Sequence, residues 1–121
     1  MNFKDQSFSQ SVKNACQGIH TAITSQRNIK IQILLMIATI ITGMILSFSN
    51  IEWIIIILAS MIIIGLEMIN TAIEYTIDMI CHKEFHPIAK KVKDISAGAV
   101  LIASLGTLII GGIIVLPKII K

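Results

Sequence analysis

The stretch IEWIIIILASMIIIGLEMINTAIEYTIDMI, residues 51–80, decides the fold of this protein. It is strongly apolar as far as Leu66, apart from Glu52 near its start, and further acidic residues follow from Glu67 onward. As one helix it would be about 45 Å long, because an α-helix rises about 1.5 Å per residue. That length exceeds the ~30 Å hydrocarbon core of a bilayer. We therefore predict a membrane-spanning helix whose acidic end projects into the headgroups and the cytoplasm.

The composition of the whole chain also indicates a membrane protein. Hydrophobic residues make up 55% of the 121 residues and the mean hydropathy is +0.83, whereas a soluble domain of this size is about 45 to 50% apolar. Three spans of about 20 residues each and one surface helix use most of the chain. We expect a single membrane-embedded domain over residues 1–121. The polar amino terminus does not resemble a cleavable signal peptide, so the first span is expected to direct insertion.

Three further segments have helical patterns. In residues 8–25, apolar side chains recur at helical spacing between polar ones, which is typical of a helix lying on a membrane surface. Residues 31–48 and 97–116 are apolar enough to span a bilayer, and the second segment is rich in small residues that let helices approach closely. The predicted fold is all-α and integral to the membrane, with an amphipathic surface helix and three transmembrane helices.

Basic residues lie mainly on one side of the predicted membrane. Four of the ten precede the first span, four lie in a polar connector at 81–94 where Pro87 is expected to mark a helix end, and Lys118 and Lys121 follow the last span. By the positive-inside rule, the amino terminus and the connector are cytoplasmic, in the cytoplasmic membrane. Few, scattered basic residues argue against nucleic-acid binding. Cys16 and Cys81 then lie on the reducing side and are interpreted as structural.

A stripe of polar residues carries the chemistry. Glu67, Asn70, Glu74 and Asp78 are spaced so that all four fall within an arc of about 80° on one helix face, which Thr71 joins. Three carboxylates on one face repel one another and require a divalent cation or protein partners. Two interpretations stay open at this point. In the first, Glu74 and Asp78 are solvated acids at headgroup level and Glu67 pairs with a basic residue. In the second, Glu67, which follows an apolar run, acts as a general base.

A basic cluster precedes the last span and is expected at the same membrane surface as Glu74. It consists of Lys90, Lys91, Lys93 and Asp94. Lysine can neutralise phosphate charge and an acid can hold a metal or a nucleotide hydroxyl, although a basic cluster at a span end also serves as a topology anchor. The sequence has no Walker-type glycine loop and no protein-kinase signature. A nucleotide site, if present, would therefore have to be built from helices.

The strings ExxNTAIExxxD at Glu67 to Asp78 and HPxAKxxKDxxAGAVL at His86 to Leu101 resemble the prokaryotic diacylglycerol kinase family, and particularly its undecaprenol kinase branch. The resemblance covers about residues 8–116. It implies a homotrimer with sites between subunits, MgATP as the phosphate donor, and a membrane lipid alcohol, undecaprenol or diacylglycerol, as the acceptor.

The resemblance also implies roles for individual residues. It makes Glu67 the catalytic base in contact with the acceptor, Asn70 a positioning group, and Glu74 a metal ligand. It makes Lys93 and Asp94 nucleotide contacts together with Glu74.

Two positions depart from the family pattern, and the surface helix adds candidate substrate contacts. Gln26 stands where the family's E-R-N-x-K/R stretch has a glutamate that serves as the other metal ligand, and Gln32 stands where many relatives have His. A neutral amide still offers its carbonyl oxygen to magnesium but adds no charge, so we expect weaker metal binding. Asn14, Gln17 and His20 are candidate contacts to the lipid headgroup, and His20 also fits a plain interfacial role.

Two rival functions remain at this stage. A small cation-coupled transporter would use Glu67 as a proton-binding site, since intramembrane carboxylates often do so. Such a site belongs near mid-bilayer, whereas the acids here continue to Asp78 beside a lysine cluster. A noncatalytic scaffold or an inactive family member is the second rival, and the neutral Gln26 keeps it open. Turnover of ATP with a lipid alcohol would exclude it.

Overall fold

The computed structural model describes residues 6–120 and shows four α-helices within them. They are α1 (Phe8–Ser25), α2 (Arg27–Ile45), α3 (Asn50–Cys81) and α4 (Pro87–Ile119). The last three are long and apolar enough to cross a membrane. The predicted all-α fold with three spans is therefore confirmed, and α1 has the predicted bounds of the 8–25 helix. Of the ten basic residues, Lys4 and Lys121 lie outside the described residues.

The central helix, α3, runs for 32 residues and agrees with the predicted 51–80 span to within one residue at each end. A capping box starts it: the Ser49 hydroxyl accepts from the Glu52 N–H at 3.3 Å, and the Ser49 N–H donates to the Glu52 carboxylate at 3.4 Å. At the other end, His82 and Lys83 adopt left-handed φ angles of 50° and 62°. Two successive left-handed residues cannot continue an α-helix, so the chain reverses there.

The second helix begins four residues earlier than predicted and ends three residues earlier. The prediction of a 31–48 span followed the apolar run alone, but helical geometry continues through polar Arg27, Asn28 and Lys30. At the other end, Ser47 has a φ of 55°, and the Phe48 N–H donates back to the Gly43 carbonyl at 3.0 Å. This turn folds Phe48 onto α2 and ends the helix.

The fourth helix corrects the predicted polar connector at 81–94. Pro87 does not mark the end of a helix, because α3 has already ended at Cys81. It is instead the first residue of α4, where its fixed φ suits a helix start and its missing N–H costs nothing. The ring Nδ1 of His86 accepts from the Ile88 N–H at 3.1 Å and caps the same turn. Lys90, Lys93 and the rest of 87–94 are therefore helical, and only residues 82–86 form the connector.

Within residues 6–120, α3 is the helix that packs against all the others, most extensively against α4 and then α2. Helix α1 packs against α2 and α3. A groove of about 720 Å³ lies between the apolar parts of α2 and α4, and residues of α3 form its base. Many Ile and Leu side chains of the three long helices remain exposed, as expected for residues that meet lipid or another helix.

A cluster of aromatic and charged side chains connects the turn between α2 and α3 to the end of α4. Lys118 of α4 pairs with Glu52 of α3 at 3.0 Å, and its ammonium lies 5.8 Å from the centre of the Phe48 ring. The Phe48 and Trp53 rings are 5.3 Å apart. Lys118, which departs from the positive-inside pattern, is thus neutralised by Glu52 and stabilised over an aromatic face.

Candidate active site

Glu67 lies on the buried face of α3, the helix that packs against the other three described helices. The buried residues of α3 are Ile56, Ile63, Glu67 and Thr71, which recur at helical spacing on one face. Glu67 and Thr71 are each only 5% exposed, and the Thr71 hydroxyl donates to the Glu67 carbonyl at 2.9 Å. None of the ion pairs among residues 6–120 includes Glu67. The acid therefore occupies a core position, and the described residues do not support the alternative in which a basic residue neutralises it.

Asn70 makes a hydrogen bond to Glu74, the next acid of the stripe. Its Nδ2 donates to Glu74 Oε1 at 3.3 Å, one turn further along α3. Its Oδ1 is buried and has no hydrogen-bond partner among the residues that the structure describes. A buried acceptor without a donor is unfavourable by about 1–3 kcal/mol. The unsatisfied oxygen is therefore available to a ligand that supplies a proton or a positive charge.

Asp78, the last acid of the stripe, has a protein partner on α4. Lys93 Nζ donates to Asp78 Oδ1 at 2.6 Å, and both side chains are only about one-third exposed, 39% for the lysine and 33% for the aspartate. Asp78 is therefore a partly buried, paired acid, and it is not solvated alone. The pair brings the predicted phosphate-binding lysine to the carboxyl-terminal end of the carboxylate stripe on α3.

Asp94 forms an ion pair within α4, whereas its neighbour Lys93 pairs with a residue of α3. It pairs with Lys90 of the same helix at 2.6 Å, and both side chains are more than 60% exposed. Both Lys93 and Asp94 line a groove of about 420 Å³ at the turn between α3 and α4. Asp78, Glu84, His86 and Lys90 are also among the lining residues. The structure thus brings Lys93 and Asp94 together in one groove.

The remaining predicted residues lie on α1 and at its junction with α2. Gln26 forms the break between these helices, with extended backbone angles, and its side chain does not cap α2. Asn14 is half-buried, accepts from Gln10 at 3.0 Å and donates to Gln6 at 3.0 Å. Gln17 is exposed. No hydrogen bond or ion pair among the described residues joins Asn14 or Gln17 to Glu67, and their proposed contact with lipid stays a prediction.

The oxygen ligands present fit a magnesium ion that is shared with a nucleotide. Mg²⁺ is usually held by one or two carboxylates together with phosphate oxygens and water. Glu74 supplies a carboxylate, and the unpaired Asn70 Oδ1 is the nearby carbonyl oxygen. Within residues 6–120, no three His, Cys, Asp or Glu side chains form a group able to hold a metal. These residues therefore fit an ion that takes part of its coordination from phosphate, and not a metal enclosed by the protein.

Comparison with known families decides the assignment of the chain. The sequence model of the prokaryotic diacylglycerol kinases matches residues 13–115. The chain belongs to the prokaryotic diacylglycerol kinase family. Every residue of the stripe and the connector lies inside the matched region, and so do Asn14, Gln17 and Gln26.

Individual members of the prokaryotic diacylglycerol kinase family are similar over most of the chain. The undecaprenol kinase of Bacillus subtilis is 40% identical over 92% of this chain and 89% of its own length. The diacylglycerol kinase of a Synechocystis species is 34% identical over 92% of this chain, which spans 63% of that relative. The diacylglycerol kinase of Helicobacter pylori is 36% identical over 58% of this chain. The relatives thus carry the names of two different lipid acceptors.

The pair between Asp78 and Lys93 is the part of the site that sequence reasoning missed. The two residues are 15 positions apart and belong to different helices. Periodicity within one helix cannot detect such a pair. The available signal was that two residues of opposite charge lie near the two ends of a short connector. A short connector between antiparallel helices places such residues side by side.

Proposed function

We propose that this protein transfers the γ-phosphate of ATP to a membrane lipid alcohol, and that undecaprenol is the acceptor. Membership of the prokaryotic diacylglycerol kinase family supports lipid kinase activity. The 40% identity to an undecaprenol kinase, over nearly the full length of both chains, favours undecaprenol. The observation that carries the proposal is the buried Glu67, which has the 5% exposure of a core residue yet carries a carboxyl group.

The depth of Glu67 suits an acceptor that approaches from the membrane. If Trp53 marks the outer interface, about 30 Å of hydrocarbon ends near residue 73. Glu67 then lies roughly 9 Å inside that boundary, while Glu74 and Asp78 lie at headgroup level. A lipid hydroxyl reaches Glu67 from the bilayer, and a nucleotide reaches Glu74 and Lys93 from the cytoplasm. This arrangement favours a kinase over a transporter, whose carboxylate would need water access from both sides.

In the proposed reaction Glu67 accepts the proton of the acceptor hydroxyl as the hydroxyl oxygen attacks the γ-phosphate in line. The bond from the γ-phosphorus to the bridging oxygen of ADP breaks at the same time, and ADP leaves. Asn70 holds Glu74 in place through its 3.3 Å hydrogen bond. Glu74, the Asn70 oxygen and Gln26 are the residues proposed to hold Mg²⁺, which supplies positive charge against the phosphates. Lys93 donates to phosphate oxygens and Asp94 contacts the nucleotide. Catalysis by these residues is then mostly positioning and electrostatic stabilisation.

We further propose a homotrimer in the cytoplasmic membrane, with the amino terminus and the 82–86 connector in the cytoplasm. Four glycines of α4 support close packing of helices from neighbouring copies, because a Cβ at Gly98, Gly106, Gly111 or Gly112 would meet no atom within 4 Å. Helix α1 would lie on the cytoplasmic surface, since Phe8, Val12 and Ile19 leave its apolar face exposed. Asn14 and Gln17 would then contact the lipid headgroup.

Transfer of radiolabelled phosphate tests the acceptor directly. Purified protein in mixed micelles would receive γ-labelled ATP with undecaprenol or with diacylglycerol at the same mole fraction, and the lipid products would be separated. We expect labelled undecaprenyl phosphate to form at the higher initial rate. A higher rate with diacylglycerol would assign the protein to the other acceptor, and no labelled lipid from either would contradict the proposed function.

A further inference from the structure

Asp78 fixes the hairpin between α3 and α4 with both its side chain and its main chain. Its carboxylate accepts from Lys93 Nζ at 2.6 Å. Its carbonyl accepts from the N–H of His82, which caps α3, and from the N–H of Lys83 at 3.1 Å. Asp78 therefore contacts both the turn that follows α3, through its carbonyl, and the ammonium of Lys93 on the returning helix, through its carboxylate.

The charge pairs near the connector are not equivalent. Lys90 and Asp94 belong to one helix and are both more than 60% exposed, so water and salt screen them and their pairing contributes little. Asp78 and Lys93 belong to different helices and are about half as exposed. A less exposed pair between helices is screened less and holds a long lysine side chain in one geometry.

The position in which Asp78 holds Lys93 lies next to the proposed phosphate site. Asp78 is one turn beyond Glu74 on the same face of α3, a distance of about 6 Å along the helix axis. The ammonium of a lysine has three N–H donors, and the bond to Asp78 uses one of them. Two donors remain for phosphate oxygens. Without Asp78, the flexible lysine would spread over many rotamers before a nucleotide arrived.

We propose that Asp78 is a positioning residue, which holds the ammonium of Lys93 one helix turn from Glu74, ready to donate to nucleotide phosphate. This inference rests on the proposed function for the role of Lys93. It assigns Asp78 an action through Lys93 and no direct contact with the nucleotide.

The test compares MgATP binding by full-length variants in detergent micelles, using isothermal titration calorimetry, with steady-state transfer to the lipid. Asp78→Asn should raise both the Kd and the KM for MgATP about tenfold or more, because it removes a charge-assisted hydrogen bond. The KM for the lipid should not change. Asp78→Glu, which keeps the charge, should recover most of the affinity. The matched control is Glu52→Gln, which breaks the other ion pair between α3 and α4, at 3.0 Å to Lys118, and should leave the MgATP affinity unchanged.

A double-mutant cycle with Lys93→Met separates positioning from other roles. Asp78→Asn should have no further effect on MgATP affinity once Lys93 is gone. An equal loss with and without Lys93 would show that Asp78 acts on the nucleotide or its metal directly and would overturn the inference. Unchanged affinity in Asp78→Asn would also overturn it, while phosphate transfer by the wild type would leave the proposed function intact. If the wild-type protein transferred no phosphate, the proposed function would be refuted. The MgATP affinities of the variants would still show whether Asp78 positions Lys93.

Discussion

The indole ring of Trp53 fills the space that a side chain at Gly43 would need. A Cβ placed on Gly43 would lie 2.5 Å from Cη2 of Trp53 and 2.8 Å from Cδ2 of Phe48. Both neighbours are aromatic carbons held in the cluster that Lys118 and Glu52 complete. Gly43 therefore sets the closest approach of α2 to the start of α3.

We expect Gly43→Ala to destabilise the protein, although alanine is the better helix former. Overpacking of a filled site costs about 1–3 kcal/mol, which outweighs the roughly 0.5–1 kcal/mol that alanine gains over glycine in a helix. The midpoint of thermal unfolding in detergent should fall. Gly18→Ala is the matched control, because a Cβ there meets nothing within 4 Å, and its midpoint should stay level or rise. Equal midpoints for Gly43→Ala and the wild type would contradict this packing.

A second expectation concerns metal dependence. In the proposed site, nucleotide phosphates would lie beside Glu74 and Asp94, and these negative charges would need a cation to offset their repulsion. Excess chelator should abolish phosphate transfer to the lipid, and added Mg²⁺ should restore it. Transfer that persists in excess chelator would remove the metal from the proposed mechanism.

The third expectation concerns the neutral residue at the α1–α2 junction. Gln26→Glu should tighten Mg²⁺ binding or raise activity, because it adds the carboxylate that the family pattern has at this position. The measurement is the dependence of the transfer rate on Mg²⁺ concentration. Since the Gln26 side chain does not cap α2, the substitution should leave helix stability nearly unchanged. Superimposable Mg²⁺ titrations would place Gln26 outside the metal site.

Much of the fold was predictable because membrane helices carry a strong compositional signal. The bounds of α1 followed from helical periodicity. Those of α3 followed from an apolar run that continues into a stripe of polar residues at helical spacing. The start of α4 did not, because Pro87 fits either the end of one helix or the first turn of the next. The left-handed turn at His82 and Lys83, which ends α3 first, selects the second role.

The candidate site was predictable only where it lies on one helix. Helical geometry places Glu67, Asn70 and Glu74 on a common face, and the structure shows the contact between the last two. The salt bridge between Asp78 and Lys93 depends on how two helices pack, which spacing along the chain does not determine. The burial of Glu67 likewise required the neighbouring helices.

The most direct test of the central claim compares Glu67→Gln with Glu74→Gln in two assays of the same preparations: labelled phosphate transfer to the lipid, and MgATP binding. Loss of a general base typically costs about a hundredfold to ten-thousandfold in rate. Glu67→Gln should therefore lose transfer while it keeps nearly normal MgATP affinity, and Glu74→Gln should lose both. A rate within a few-fold of wild type for Glu67→Gln would contradict its role as the base. An equal loss of MgATP affinity in both variants would move Glu67 to the metal site.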